Sequence, residues 1–192
     1  GAELPRRLDE AMAGAYRALD ELRRAGDIAA IGVGVNDSRA CLDLAARGRF
    51  DCFMLAGRYT LLDHTAQDEL LPYCAAQGIG VLLAGPFNSG ILATGAKAGA
   101  TFFYAPAESE IVERTRRTEA VCARHALPLA AAALQFSASH PAITSVVTGC
   151  RSAAELRRNL ELMARPIPPA FWQELAAPGL IAREAVPTPS RP

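Results

Sequence analysis

Ile143-Thr-Ser-Val-Val-Thr-Gly149-Cys-Arg151-Ser152-Ala-Ala-Glu155-Leu-Arg-Arg-Asn159 is a short run of branched residues that breaks at a glycine and passes into a helix opened by serine. A chain that turns this way aims a helix N-terminus, with unpaired N–H groups and a partial positive charge, at whatever lies above the strand end. Ordinary α/β connections use the same turn chemistry, so the junction alone leaves open whether an anion binds there. A second stretch of this kind lies upstream: Gly78-Ile-Gly-Val81-Leu-Leu-Ala84-Gly85-Pro86-Phe87-Asn88-Ser89-Gly90-Ile-Leu92. Short, apolar and bounded by turn residues, it reads as a buried parallel strand followed by a loop. Either a ligand approaches that loop's backbone or Gly85 to Gly90 only punctuates a strand end.

Working outward, Leu8 to Arg24 carries Met12, Ala15, Tyr16, Leu19 and Leu22 at helical spacing and stops at Gly26. Ile28–Val35 reads as a strand, Ser38 as the cap of a helix reaching Ala46, and Asp51–Leu55 as the next strand. Helices follow at Asp68–Gln77, Glu108–His125 and Pro128–Ser139, with strands at Ile79–Ala84 and Ile143–Thr148 and a helix at Ser152–Met163. Strands alternating with helices imply parallel pairing and an α/β architecture. Four strands do not close a barrel; the order, starting on a helix and ending on extra C-terminal helices, reads as the second half of a larger fold. The expected division is one unit over residues 1–176 and a tail over 177–192, Pro-rich from Pro187 to Pro192.

Twenty basic residues balance twenty acidic ones, and they are scattered, so the electrostatic footprint of a nucleic-acid or membrane surface is missing. The apolar runs fall far short of a membrane span and no signal layout opens the chain, which makes a soluble, cytoplasmic protein the expectation. Five cysteines, Cys41, Cys52, Cys74, Cys122 and Cys150, form no C-x-x-C pair and have no histidine at zinc spacing, so reduced, mostly buried thiols are expected. Cys150 falls at a helix N-terminus beside Arg151, but no base accompanies it. His64, His125 and His140 are expected in solvated or capping positions, without a metal site. Glu108-Ser-Glu-Ile-Val-Glu113-Arg-Thr-Arg-Arg117 reads as the wet face of a helix.

Four stretches in this order carry a resemblance: Ala15–Val33 (AYRALDELRRAGDIAAIGV), Arg58–Leu62 (RYTLL), Pro86–Leu92 (PFNSGIL) and Gly149–Asn159 (GCRSAAELRRN). Together they resemble the C-terminal half of an aldo-keto reductase, a (β/α)8 TIM barrel that uses NAD or NADP, over about Leu4 to Leu175. Gly34-Val35-Asn36 and Pro86-Phe87-Asn88-Ser89-Gly90 are most similar to the aldose 1-dehydrogenase branch, which oxidises sugars at C1 to lactones and has relatives acting on pyridoxal.

The resemblance implies sites on the loops at the strand C-termini. Asn36 and Tyr59 would lie near the nicotinamide, and Pro86, Phe87, Asn88, Ser89, Gly90 and Leu92 along the pyrophosphate. Gly149, Arg151, Ser152, Glu155 and Asn159 would surround the adenosine half. Ala84 stands where the family often has an aromatic that stacks on the nicotinamide. Glu155 stands where NADP enzymes of the family often have arginine and so favours NAD, whereas Arg151 argues for NADP. The family's catalytic Asp, Tyr, Lys and His come from strands that precede this half, so no residue here is assigned to catalysis. The single lysine, Lys97, matches a non-catalytic one, and Tyr16, Tyr59, Tyr73 and Tyr104 have no Lys and His to support them.

The resemblance therefore implies a sugar or aldehyde as substrate of the complete enzyme, and as partner a missing N-terminal half-barrel, with this chain inactive alone. Two open sheet edges and a broad apolar face make self-association a further expectation. The alternative is a non-catalytic half-barrel that binds a nucleotide or a protein.

Overall fold

Branched and apolar runs punctuated by glycine produce the strands. In the computed structural model, which describes residues 3–187, β1 (Gly32–Val35), β2 (Cys52–Ala56), β3 (Gly80–Ala84) and β6 (Ile143–Val147) form one sheet in the order β1-β2-β3-β6. Every neighbouring pair is parallel, in the register Gly34, Met54, Leu82, Ser145 across the sheet. The chain returns between strands through α3 (Ser38–Ala45), α4 (Leu70–Gln77), and the pair α6 (Ser109–Arg124) and α7 (Leu129–Ser137). This is the expected α/β half-barrel arrangement, with α8 (Ala153–Ala164) and α9 (Pro169–Ala176) following β6.

Alternate strand residues meet different surroundings, as the two-residue period requires. Phe53, Leu55, Val81 and Leu83 have no exposed surface and form the centre of the core with Leu70, Leu71, Phe136 and Phe171. On the opposite, inner face Met54 is 39% exposed and Val147 38%. The helices thus cover one side of the sheet only.

Several expectations are corrected in detail. The first strand is shorter than Ile28–Val35, because the Ile31 N–H donates to Asp51 Oδ2 at 2.8 Å instead of joining the ladder. Asp37, not Ser38, caps α3: its carboxylate accepts from the N–H of Arg39 and Ala40, and Ser38 Oγ is buried without a partner. The first helix is longer than Leu8–Arg24, running as α1 (Leu4–Ala11), a π-turn at Met12–Tyr16 and α2 (Arg17–Ala25), ended by Gly26 at φ 85°. Its expected stripe is only partly covered, with Leu22 42% exposed.

The charge run is not wholly wet. Arg114 points inward and donates to the carbonyls of Leu62 and Leu180, both at 3.0 Å. Thr115 and Thr118 are buried on the same helix and bond back to Ile111 and Arg114 carbonyls. The clamp reaches the C-terminal segment, where Leu180, Ile181 and Ala185 belong to the same core, so residues 177–187 pack on the body instead of forming a tail. Residues 188–192 of the expected tail lie outside the described ones.

Of the histidines, His125 ends α6 and meets Glu174 at 2.6 Å, and His140 Nδ1 accepts from the Ala142 N–H in a turn. His64 departs from the expected solvated position: its ring lies 5.3 Å from that of Phe136, and Nε2 is buried without a partner. Burial, helped by nearby Arg114, brings its pKa down to about 4. All five cysteines are free thiols; burial raises Cys41 and Cys122 to about 12 and Cys74 to about 11.

Candidate functional site

Because all four strands run the same way, their C-terminal ends share one side of the sheet, and the loops that leave β3 and β6 meet there. Between those loops lies a groove of about 510 Å³, in the range of ligand sites. One wall is the loop after β3, Gly85 to Gly90, leading into the short helix α5 (Ile91–Thr94). The other is Gly149 and the first turns of α8, through Arg151, Glu155, Arg158 and Asn159.

The β3 loop gets its shape from residues in left-handed backbone. Asn88 (φ 44°) and Ser89 (φ 58°) hold it without the licence glycine has, and Gly90 follows at φ 104°. Asn88 is 3% exposed; its Nδ2 donates to the Gly57 carbonyl at 3.5 Å, and its Oδ1 is buried with no protein partner. A buried acceptor of this kind calls for a donor. A side chain at Gly90 or Gly149 would meet no protein atom within 4 Å, so open space lies over both backbones.

The α8 wall is built by a capping arrangement. Ser152 Oγ accepts from the Glu155 N–H at 3.1 Å, and Glu155 Oε2 accepts from the Arg151 N–H at 2.7 Å. That hydrogen bond, followed by the charge of Arg151, holds the Glu155 carboxyl below the usual carboxylate range. Glu155 Oε1 also meets the Arg151 guanidinium at 3.2 Å, so each offsets the other's charge. Asn159 donates to Cys150 Sγ at 3.4 Å, which steers its amide; Cys150 is half-buried behind the groove and close to Thr148 Oγ1.

The groove thus brings together Pro86, Phe87, Asn88, Ser89 and Gly90 with Gly149, Arg151, Glu155 and Asn159, as the sequence suggested. Ser152 does not line it; its hydroxyl is the helix cap. Leu92 faces the core with no exposure. Tyr59 is a correction of the same kind: 1% exposed, it stacks on Phe136 at 4.9 Å and bonds Ser139 through its hydroxyl at 3.1 Å. Asn36 is exposed at the end of β1, away from the groove, and its carbonyl accepts from Arg58 Nε at 2.7 Å.

Residues the sequence reading passed over also line the groove: Thr94, Tyr104, Ala130, Arg158 and Leu162 among them. Arg158 could have been found, since it follows Glu155 by one turn of α8 and lies beside Asn159. Tyr104 could not, because it arrives on a tiny hairpin, β4 (Thr101–Phe102) and β5 (Ala105–Pro106), with Phe103 and Tyr104 in left-handed backbone at its tip. Glycine or asparagine would have signalled such a turn.

Two guanidinium groups, a carboxylate, amide and hydroxyl side chains and accessible backbone are the donor set for an elongated anion with hydroxyls, such as a dinucleotide. The residues present fit such a group. A catalytic proton-transfer set is a different matter: among the described residues no lysine or histidine accompanies a tyrosine in this groove, and no three His, Cys, Asp or Glu residues gather to hold a metal.

Comparison with known proteins agrees with the fold. A family model described as the aldo/keto reductase family matches residues 5–178. Pyridoxal 4-dehydrogenase of Microbacterium luteolum is 43% identical over 169 residues, which are 88% of this chain and 49% of that protein. D-threo-aldose 1-dehydrogenase of Pseudomonas sp is 40% identical over 183 residues, 95% of this chain and 54% of that protein. Among solved structures, the holo form of the aldo-keto reductase AKR11C1 from Bacillus halodurans superposes with a TM-score of 0.64 at 21% identity, over 88% of this chain and 57% of that one. The glycerol dehydrogenase AKR11B4 from Gluconobacter oxydans gives 0.64 at 17%, over 91% and 55%. The chain spans about half the length of the curated relatives it matches.

Proposed function

The chain belongs to the aldo/keto reductase family, and from that premise we propose that it is the cofactor-holding half of an NAD(P)-dependent dehydrogenase that oxidises an aldose at C1 to its lactone. What supports this is the groove at the carboxyl ends of β3 and β6, where nine of the thirteen residues expected to hold a dinucleotide converge beside an unpartnered Asn88 Oδ1. The nicotinamide, when bound, supplies the acceptor for hydride. The protein's part is to bind and orient: Gly90 and Gly149 let backbone come close, Arg151 and Arg158 offset phosphate charge, and the capped start of α8 faces the anion. Since Arg151 and Glu155 are paired, neither acts alone in choosing between NAD and NADP.

Proton transfer to or from the sugar belongs, in this reading, to the complementary N-terminal half-barrel, which would cover the inner face and bring Asp, Tyr, Lys and His. The chain by itself is then inactive: purified material incubated with NAD or NADP and L-fucose, D-arabinose or pyridoxal gives no reduced cofactor above a blank. No described helix is long and apolar enough to cross a membrane, and a cytoplasmic location goes with the proposal.

Calorimetric titration with NADH and NADPH tests the core of this reading. Saturable binding of at least one, weakened by salt, is expected; no binding of either would sink it. A second reading, a non-catalytic half-barrel that binds a nucleotide or another protein, draws on the exposed Met54 and Val147 inside and Leu156 and Leu160 on α8. Light scattering separates the two arrangements: assembly only on addition of an N-terminal half-barrel favours the enzyme, and stable self-association favours the module.

A further inference from the structure

Tyr104 is the most exposed large apolar side chain among the described residues, 94% accessible, and it stands on the rim of the groove. Nothing in the turn that carries it asks for an aromatic. Phe103 and Tyr104 have φ of 46° and 64°, a conformation in which glycine and asparagine are the low-strain choices. Phe103 has evident reasons to be aromatic: its ring lies 4.4 Å beneath the Arg58 guanidinium, 4.6 Å from Phe102, and against Gly57. Arg58 is itself fixed to the Asn36 carbonyl and to Asp63. The Tyr104 ring, in contrast, makes no aromatic pair and its hydroxyl no hydrogen bond among the described residues.

The hairpin is tied to the groove's own wall. Ser89 Oγ accepts from the Tyr104 N–H at 2.9 Å, and the Ser89 carbonyl accepts from Thr101 Oγ1 at 2.9 Å. The left-handed loop that lines the groove and the left-handed turn that carries Tyr104 are therefore one braced unit. Strain held at two places so coupled marks a positioned side chain more than a mobile one. An exposed aromatic that serves no contact inside the chain, held at a fixed height over a groove lined by Arg151 and Arg158, has the form of a stacking platform.

We infer that Tyr104 stacks on a planar heteroaromatic ring of the ligand that lies in this groove, clasping the nucleotide from the hairpin side. This rests on the cofactor reading above and goes beyond it, since that reading assigns the ring no stacking partner and Tyr104 would provide one from the rim.

Calorimetry on the full chain tests it with four probes: NADH, ADP-ribose, nicotinamide mononucleotide and inorganic pyrophosphate. Tyr104→Ala is expected to weaken NADH about tenfold, Tyr104→Phe less than about twofold, and pyrophosphate not at all. Whichever of ADP-ribose or nicotinamide mononucleotide shares the loss identifies the stacked ring. Circular dichroism of both variants guards against a fold effect. Unchanged NADH affinity in Tyr104→Ala, or an equal loss for pyrophosphate, would overturn the stacking role while leaving the cofactor reading intact. Failure of the wild-type chain to bind NADH, NADPH or ADP-ribose would instead overturn that reading and this inference with it.

Discussion

Phe53 and Met54 are adjacent in β2, yet Phe53 has no exposed surface and Met54 is 39% exposed. The same alternation runs through the sheet, with Val81 and Leu83 sealed on one side and Val147 open on the other. The outer face is finished by the chain's own helices, whereas the inner face and the α8 surface carrying Leu156 and Leu160 are apolar and uncovered. Hydrophobic burial is roughly proportional to area removed from water, so stability is concentrated on one side and the capacity for association on the other.

The sharpest test of that contrast replaces the two neighbours separately. Phe53→Ala should lose about 3–5 kcal/mol in urea unfolding, and Met54→Ala less than about 1 kcal/mol. Equal losses would mean that something covers the inner face in solution. Next in size, Arg114→Ala should cost about 2–3 kcal/mol, because the carbonyls of Leu62 and Leu180 lose a charged donor. A loss under about 0.5 kcal/mol would show that the C-terminal segment is held by packing alone.

A smaller effect comes from His64, on the finished side. Its folded pKa of about 4 lies below the ordinary 6.5, so the unfolded chain takes up the proton first. Stability is therefore full above about pH 6.5 and falls on acidification towards pH 4, by no more than about 1.4 kcal/mol per pH unit. His64→Gln should flatten most of that slope in urea titrations between pH 7 and 5, with His140, also lowered by burial, accounting for the rest. An unchanged slope would place its origin elsewhere. The smallest effect belongs to the margin: Ser152→Ala removes the α8 cap and should cost about 1 kcal/mol in thermal unfolding. A loss as large as that at Phe53 would make α8 part of the core.

The sheet was legible because its strands are short apolar runs closed by glycine, and the groove because both of its walls follow such strands. Residue-level detail failed where tertiary surroundings decide. Tyr59 and Leu92 sit in stretches that carry the family likeness, but a sequence cannot say that their side chains turn into the core beside Phe136 and Leu83. Ser38 and Asp37 are both good caps, and the choice depends on which residue has extended backbone, as Asp37 does. Arg114 looked solvated within a charged run because its acceptors, Leu62 and Leu180, are remote in the chain.

The N-terminal helical segment has one more consequence. It buries Leu8 but no residue of α2, and it is held down by Tyr16 against Phe50, by the Tyr16 hydroxyl accepting from the Arg49 N–H, and by Arg23 bridging Asp20 and Asp51. With so few buried contacts, the segment opens before the core does. The segment is thus a detachable flap: amides there should exchange with deuterium by a local opening while the sheet stays closed.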